Sequence, residues 1–293
     1  MIMDRLFDSA RQKGVVCLGL DTAPDYVPRH VLDENAGDAA EAVFAFNKAV
    51  IDATLDVTAC YKVQIAYYEA LGLAGLKTYA RTLRYIKERG GISIADIKRG
   101  DIKDTAAMYA RAHFSGDFEA DMITLNPYMG LDSLEPYAPY FQNGKGCFVL
   151  VRTSNPGAKD IEYLETAGGA RVYEAVAQKI AEYGRPFIGG RGYSAVGAVM
   201  GCTNTEEIAR IRGGLPTVFF LIPGYGAQGG RAEDVALYLN GGNGGVVNSS
   251  RAILLAYRKH EDGERRFAEY ARAEAADMNA QIMEAVRRRE DGI

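Results

Sequence analysis

Hydrophobic positions along this chain come in short, nearly continuous runs, each bounded by glycine or a polar turn. Each run is followed by a stretch whose apolar residues recur every three or four positions. VVCLGL (15–20) is the first, and a connection rich in aspartate and proline leads to a helix over about 38–55, with Val43, Phe46, Val50 and Ile51 on one face. TACYKVQ (58–64) follows, then a helix to about Arg89 that Gly90-Gly91 stops. Further runs fall at ISIADIK (92–98), DMITLN (121–126), GCFVLV (146–151), GAVMG (197–201), TVFFLI (217–222) and GGVVNS (244–249), the short GAVMG being the weakest. A last helix, about 262–288, places Phe267, Tyr270, Ala271, Met278, Ile282 and Val286 on one face.

Apolar strands joined by helices form a parallel sheet covered by helices. Eight such units in 293 residues predict an α/β fold, a closed (β/α)8 TIM barrel forming one domain over 1–293. An open doubly wound sheet is the alternative. No linker or low-complexity run divides the chain.

Composition narrows the function classes. At a net charge of −4 the chain lacks the basic face that nucleic-acid binding needs. Its one basic cluster, Arg287-Arg288-Arg289, closes the last helix, where it complements the helix dipole and stays solvated. Met1 to Lys13 carries Asp4, Arg5, Asp8 and Arg11 with no apolar core segment, so it does not read as a signal peptide. Nothing approaches the roughly 18 continuous apolar residues of a membrane span. Cys17, Cys60, Cys147 and Cys202 are widely separated and form no C-x-x-C pair, which fits reduced, buried thiols in a cytoplasmic protein.

In such barrels the chemistry lies at the C-terminal ends of the strands. Polar residues gather there: Asp21, Lys62, Gln64, Asp96, Lys98, Asn126, Arg152 to Asn155, and Arg251, with Pro223 closing the seventh strand. The sharpest segment is ADIKRGDIKDT (95–105). Asp96 and Lys98 lie two apart on a strand, so both side chains point to one face, and Lys62 and Gln64 repeat that geometry on the neighbouring strand. Asp101 begins the next helix, where its charge suits the dipole. A simple ion pair at a strand end is the plainer account of one D-x-K. Two buried lysines beside two aspartates need one another more than that account requires.

The second constellation is LIPGYGAQGG (221–230) followed by VVNSSRAI (246–253). GYGAQG satisfies G-x-G-x-x-G, but it follows the seventh strand, and 245–250 hold no acidic residue for a ribose, so a dinucleotide site is rejected. A phosphate site built from the loops after strands seven and eight fits better, with glycine N–H groups, the Gln228 amide and the Arg251 fork as donors. The plain alternative is a tight turn beside a surface arginine.

At these residues the sequence resembles the orotidine 5′-phosphate decarboxylase family in its longer bacterial-type branch, from about Gly19 to Tyr257. DIKRGDIKDT and PGYGAQGG carry the likeness, supported by GLD (19–21), YKVQ (61–64), TLNPYMG (124–130), RTSNPGA (152–158) and NSSR (248–251). The resemblance implies decarboxylation of orotidine 5′-phosphate to UMP, the last step of de novo pyrimidine nucleotide synthesis, with no metal or organic cofactor. It implies that Lys98 donates a proton to C6, that Asp96 lies against the departing carboxylate, and that Lys62 completes the array. Asp101, Ile102 and Thr105 would reach into a second subunit's site, making a homodimer. Asp21 would contact ribose, Ser154 the pyrimidine, and Gln228 and Arg251 the phosphate, with Pro223 also at the substrate. Two departures stand out: Val63 follows Lys62 where the branch usually has proline, and 187–197 match only partly, so no site residue is assigned there. The rivals are a Mg²⁺-dependent sugar-phosphate decarboxylase of the same barrel, which wants an added carboxylate, and a non-catalytic nucleotide-binding relative.

Overall fold

The eight apolar runs are strands, and they close on themselves. In a computed structural model, which describes residues 1–202, 205–226 and 229–292, the order β1 to β8 forms a closed barrel of parallel neighbours. The strands are β1 (Val16–Gly19), β2 (Cys60–Gln64), β3 (Ser93–Arg99), β4 (Met122–Leu125), β5 (Gly146–Arg152), β6 (Val196–Met200), β7 (Phe220–Ile222) and β8 (Gly245–Ser249). Their side chains are buried almost throughout, as a sheet covered on both faces requires. Register is set pairwise: Cys17 faces Cys60 on one side and Asn248 on the other, the latter pairing closing the ring. β7 is shorter than its apolar run, and ahead of it the carbonyls of Thr217 and Phe219 accept the Ser194 and Ala198 N–H groups.

Helices wrap this barrel. Asp38 caps the helix Ala39–Thr54 by accepting the Ala40 and Glu41 N–H groups at 2.9 and 3.1 Å. That helix packs between Gly72–Glu88 and the C-terminal helix Phe267–Glu290. The last helix starts later than its periodicity suggests, since Gly263–Arg266 form a 3-10 turn. Its basic end stays solvated, Arg287, Arg288 and Arg289 all being exposed, and Arg289 Nη1 also donates to the carbonyls of Ala236 and Leu239 at 2.6 and 3.2 Å. No described helix is long and apolar enough to cross a membrane.

One further element precedes the first strand. Met1 to Lys13 holds a helix, Ile2–Lys13, that buries Ile2, Met3, Leu6 and Ala10. It lies under the N-terminal ends of the strands, where Arg5 pairs with Asp121 at 3.2 Å and Ser9 donates to the Ala59 carbonyl at 2.8 Å. The C-terminal helix reaches the same end. Asn279 Oδ1 accepts the Val16 N–H at 3.1 Å, and its Nδ2 donates to the carbonyls of Lys13 and Val57 at 3.2 and 2.8 Å. With the bottom of the barrel so closed, the opposite mouth is left for chemistry.

Candidate active site

Two buried groups form the centre. Lys62 and Asp96 are 5% and 4% exposed, and the Lys62 ammonium donates to Asp96 Oδ2 at 2.9 Å and to Asp21 Oδ1 at 3.0 Å. Lys98 Nζ meets the other oxygen, Asp96 Oδ1, at 2.6 Å. Charges therefore alternate across three strand ends, Asp21–Lys62–Asp96–Lys98. Burial alone would discharge Lys62, but the carboxylates of Asp21 and Asp96 outweigh it and hold the amine above the ordinary lysine range. Asp96 is the mirror case. Burial works against its charge, yet Lys62 and Lys98 hold it well below the usual carboxylate range. Gln64 Nε2 adds a further donor to Asp96 Oδ2 at 2.9 Å.

Lys98 reaches this position by a route that strand alternation does not foresee. Its φ is +44°, in the left-handed region that non-glycine residues avoid. The β3–β4 register shifts between Ala95 and Arg99. Lys98 and Asp96 do share a side, but a bulge and a left-handed turn put the ammonium back over the carboxylate. The helix after β3 begins at Lys103, so Asp101 precedes it and accepts the Ile102 N–H at 2.8 Å instead of serving as its first residue.

Asp21 is placed by a buried relay behind the β1 loop. Thr22 donates to Asn47, Asn47 to the Tyr68 hydroxyl, and Tyr68 to the Leu20 carbonyl, at 2.7, 2.8 and 3.1 Å. From the other side Ser250 Oγ donates to Asp21 Oδ2 at 2.8 Å. Gly19 makes this approach possible, since a Cβ there would lie 1.9 Å from Ser250 Oγ. Across the mouth, Thr153 donates from its backbone and hydroxyl to Glu162 at 2.9 and 2.7 Å, fixing the loop that carries Ser154.

Two cavities meet at the array, and both are walled by Lys62, Asp96, Pro223 and Asn248. One, of about 360 Å³, is polar and runs past Asp21 and Gln64 to Tyr26, Tyr67 and Arg251. The other, of about 320 Å³, holds Lys98 and Ser154 beside the apolar faces of Leu150, Val199 and Leu221. Arg251 is exposed and makes no ion pair among the described residues. The adjoining glycine loop turns through Gly224 at φ +101°, a value that suits only glycine. Gln228 lies outside the described residues. Ile102 and Thr105 are exposed, and neither they nor Asp101 line these cavities.

Arg152 departs from the expectation of a mouth residue. It is 1% exposed and donates to the Gly201 carbonyl, the Tyr238 hydroxyl and Glu207 at 2.5, 3.1 and 3.3 Å, tying β5 to the segment after β6. Tyr26, Tyr67, Asn248 and Thr124 were not singled out from sequence. Thr124 and Asn248 fall inside TLNPYMG and NSSR, and their inward positions on β4 and β8 were the available signal.

A barrel with alternating ammonium and carboxylate groups at its mouth, between a polar and an apolar chamber, defines an enzyme of the (β/α)8-barrel class acting on a small molecule. The chain belongs to the orotidine 5'-phosphate decarboxylase / HUMPS family, whose model matches residues 15–265. It is 58% identical over 287 residues to the orotidine 5'-phosphate decarboxylase of Clostridium perfringens, covering 98% of this chain and 99% of that one. It is 60% identical over 283 residues to that of Clostridium acetobutylicum, covering 96% and 99%. Among solved structures, the OMP decarboxylase of Leishmania donovani superposes with a TM-score of 0.77 at 31% identity, covering 98% of this chain and 99% of that one.

Proposed function

We infer that the chain decarboxylates orotidine 5′-phosphate to UMP, closing de novo pyrimidine nucleotide synthesis, without a metal or organic cofactor. The observation that carries this is the Lys98 ammonium, which lines the apolar cavity and is held 2.6 Å from Asp96, itself a wall of both cavities. Loss of CO₂ from C6 leaves a carbanion that no adjacent group delocalises. Lys98 attracts that charge as it develops and then donates its proton to C6. Asp96, pinned by Lys62, Gln64 and Lys98, lies against the departing carboxylate. Lys62 keeps Asp96 ionised, and Asp21 contacts the ribose.

The pyrimidine occupies the apolar chamber with Ser154 and Pro223. The phosphate lies at Arg251 and Gln228, where binding energy far from the reacting carbon holds C6 against Lys98. Asp101, Ile102 and Thr105, which line neither cavity of their own subunit, complete the site of a second subunit in a homodimer. The protein works in the cytoplasm.

The test is a direct assay. EDTA-treated protein is mixed with orotidine 5′-phosphate and the loss of substrate absorbance followed. Turnover to UMP that EDTA leaves unchanged is expected. UMP binding with no turnover would make the chain a binder, and turnover that only Mg²⁺ restores would point to the sugar-phosphate branch.

A further inference from the structure

Strands β3 and β4 do not stay in step. Ala95 pairs with Ile123 and Arg99 with Leu125, so three residues of β3, Asp96, Ile97 and Lys98, stand opposite Thr124 alone. Such an interruption takes backbone N–H groups off the regular ladder, and a buried N–H needs an acceptor. Here both are met by one atom. The N–H groups of Ile97 and Lys98 donate to Thr124 Oγ1 at 3.0 and 2.9 Å. With two protons directed at it, the oxygen must send its own outward, and it donates to Asp96 Oδ1 at 2.9 Å. That is the oxygen that also receives the Lys98 ammonium.

Thr124 is 1% exposed, so water does not compete for these bonds. Every direction in the set is fixed by donor and acceptor counting, and a valine of the same shape would satisfy none of it.

We propose that Thr124 is a positioning residue, whose hydroxyl holds the bulged backbone of Ile97 and Lys98 and one oxygen of Asp96 in a single arrangement. It thereby fixes where the Lys98 ammonium is aimed. The role rests on the reading of Lys98 and Asp96 given above. It also accounts for the left-handed backbone at Lys98: the N–H of that residue is tied to the hydroxyl that orients its ion-pair partner. A threonine present only as a β-branched strand residue would be replaced by valine without loss.

Thr124→Val removes the hydroxyl at constant shape, and Thr124→Ser keeps it while removing the methyl. A displacement of about 1 Å at the reacting group costs roughly 10²-fold in rate. Thr124→Val is accordingly expected to lose that much in kcat, with KM for orotidine 5′-phosphate and Kd for UMP close to wild type. Thr124→Ser should recover most of the rate. Full activity in Thr124→Val, or a loss in Thr124→Ser as large as in Thr124→Val, overturns the role.

Amide hydrogen exchange on the wild-type protein supplies a reading that does not depend on the valine variant folding. The Ile97 and Lys98 amides should be protected, and exchange at exposed-loop rates overturns the proposal. Failure of the wild-type enzyme to turn over orotidine 5′-phosphate would instead sink the functional reading and this role with it.

Discussion

Lys98→Ala separates chemistry from stability in one substitution. The side chain is 45% exposed, and an ion pair of that kind contributes about 0–1 kcal/mol. Its partner is not stranded by the change, because Asp96 keeps Lys62, Gln64 and Thr124, each at 2.9 Å. The fold should therefore lose little. The reaction should lose far more. Two unit charges about 4 Å apart at an effective dielectric near 20 interact by roughly 4 kcal/mol. At about 1.36 kcal/mol per decade that is on the order of 10³ in rate, before the missing proton donor is counted.

The measurement is single-turnover loss of orotidine 5′-phosphate absorbance, beside calorimetric titration with UMP and a thermal melt. The expected result is kcat down by about 10³-fold or more, with UMP still bound and the melt nearly unmoved. A parallel Lys98→Gly variant should melt slightly higher than Lys98→Ala, since glycine relieves a left-handed backbone cost of about 1 kcal/mol. A kcat within tenfold of wild type in Lys98→Ala would refute the assignment, because neither the charge nor the proton would then be needed.

Arg251→Ala removes an exposed cation that no described carboxylate pairs with, so its melting temperature should stay put while kcat/KM falls about 10- to 100-fold for lost charge-assisted bonds to phosphate. A changed melt with unchanged kinetics would make it a surface arginine only. Asn279→Ala strips three backbone groups of their partner and should cost about 2–4 kcal/mol in a denaturant titration, with kcat intact. Unaltered stability would show that the helix is held elsewhere. Asp96 ionises more readily folded than unfolded, so its contribution is complete above about pH 4 and is lost as pH falls through that value toward the folded one. Melting temperatures across pH 5 to 3, an interval chosen around the roughly 3.9 of a free aspartate, should fall more steeply for wild type than for Asp96→Asn, and parallel slopes would contradict this.

Much of the molecule was legible from its sequence, for identifiable reasons. The strands were visible because both faces are covered, so each reads as an unbroken apolar run. The array was visible because Lys62 and Asp96 are costly to bury and sit at strand ends, whereas Lys98, expected to be buried with them, keeps its side chain 45% exposed. The helix Ile2–Lys13 was hidden by its charges, since Ile2, Met3, Leu6 and Ala10 share it with five ionic side chains. The bulge at Lys98 was not readable either. It is a mismatch between two strands, and neither strand records it alone. Arg152 looked like a neighbour of Ser154, but its length lets the guanidinium turn beneath the loop to Gly201 and Tyr238.

The amide of Asn279 has a consequence for how the molecule is made. It reaches back 263 positions to serve the first residue of the first strand, whose other missing neighbour is β8. A chain leaves the ribosome amino end first, at about 5–20 residues per second. β1 therefore waits, with an unpaired edge and an unclaimed N–H, until β8 and Asn279 have been made. A nascent chain paused after β7 carries two open edges, the form of sheet most inclined to join another chain. Emergence of β8 and the helix Phe267–Glu290 removes both hazards together, so a chaperone would find most to hold in the seconds before those two elements appear.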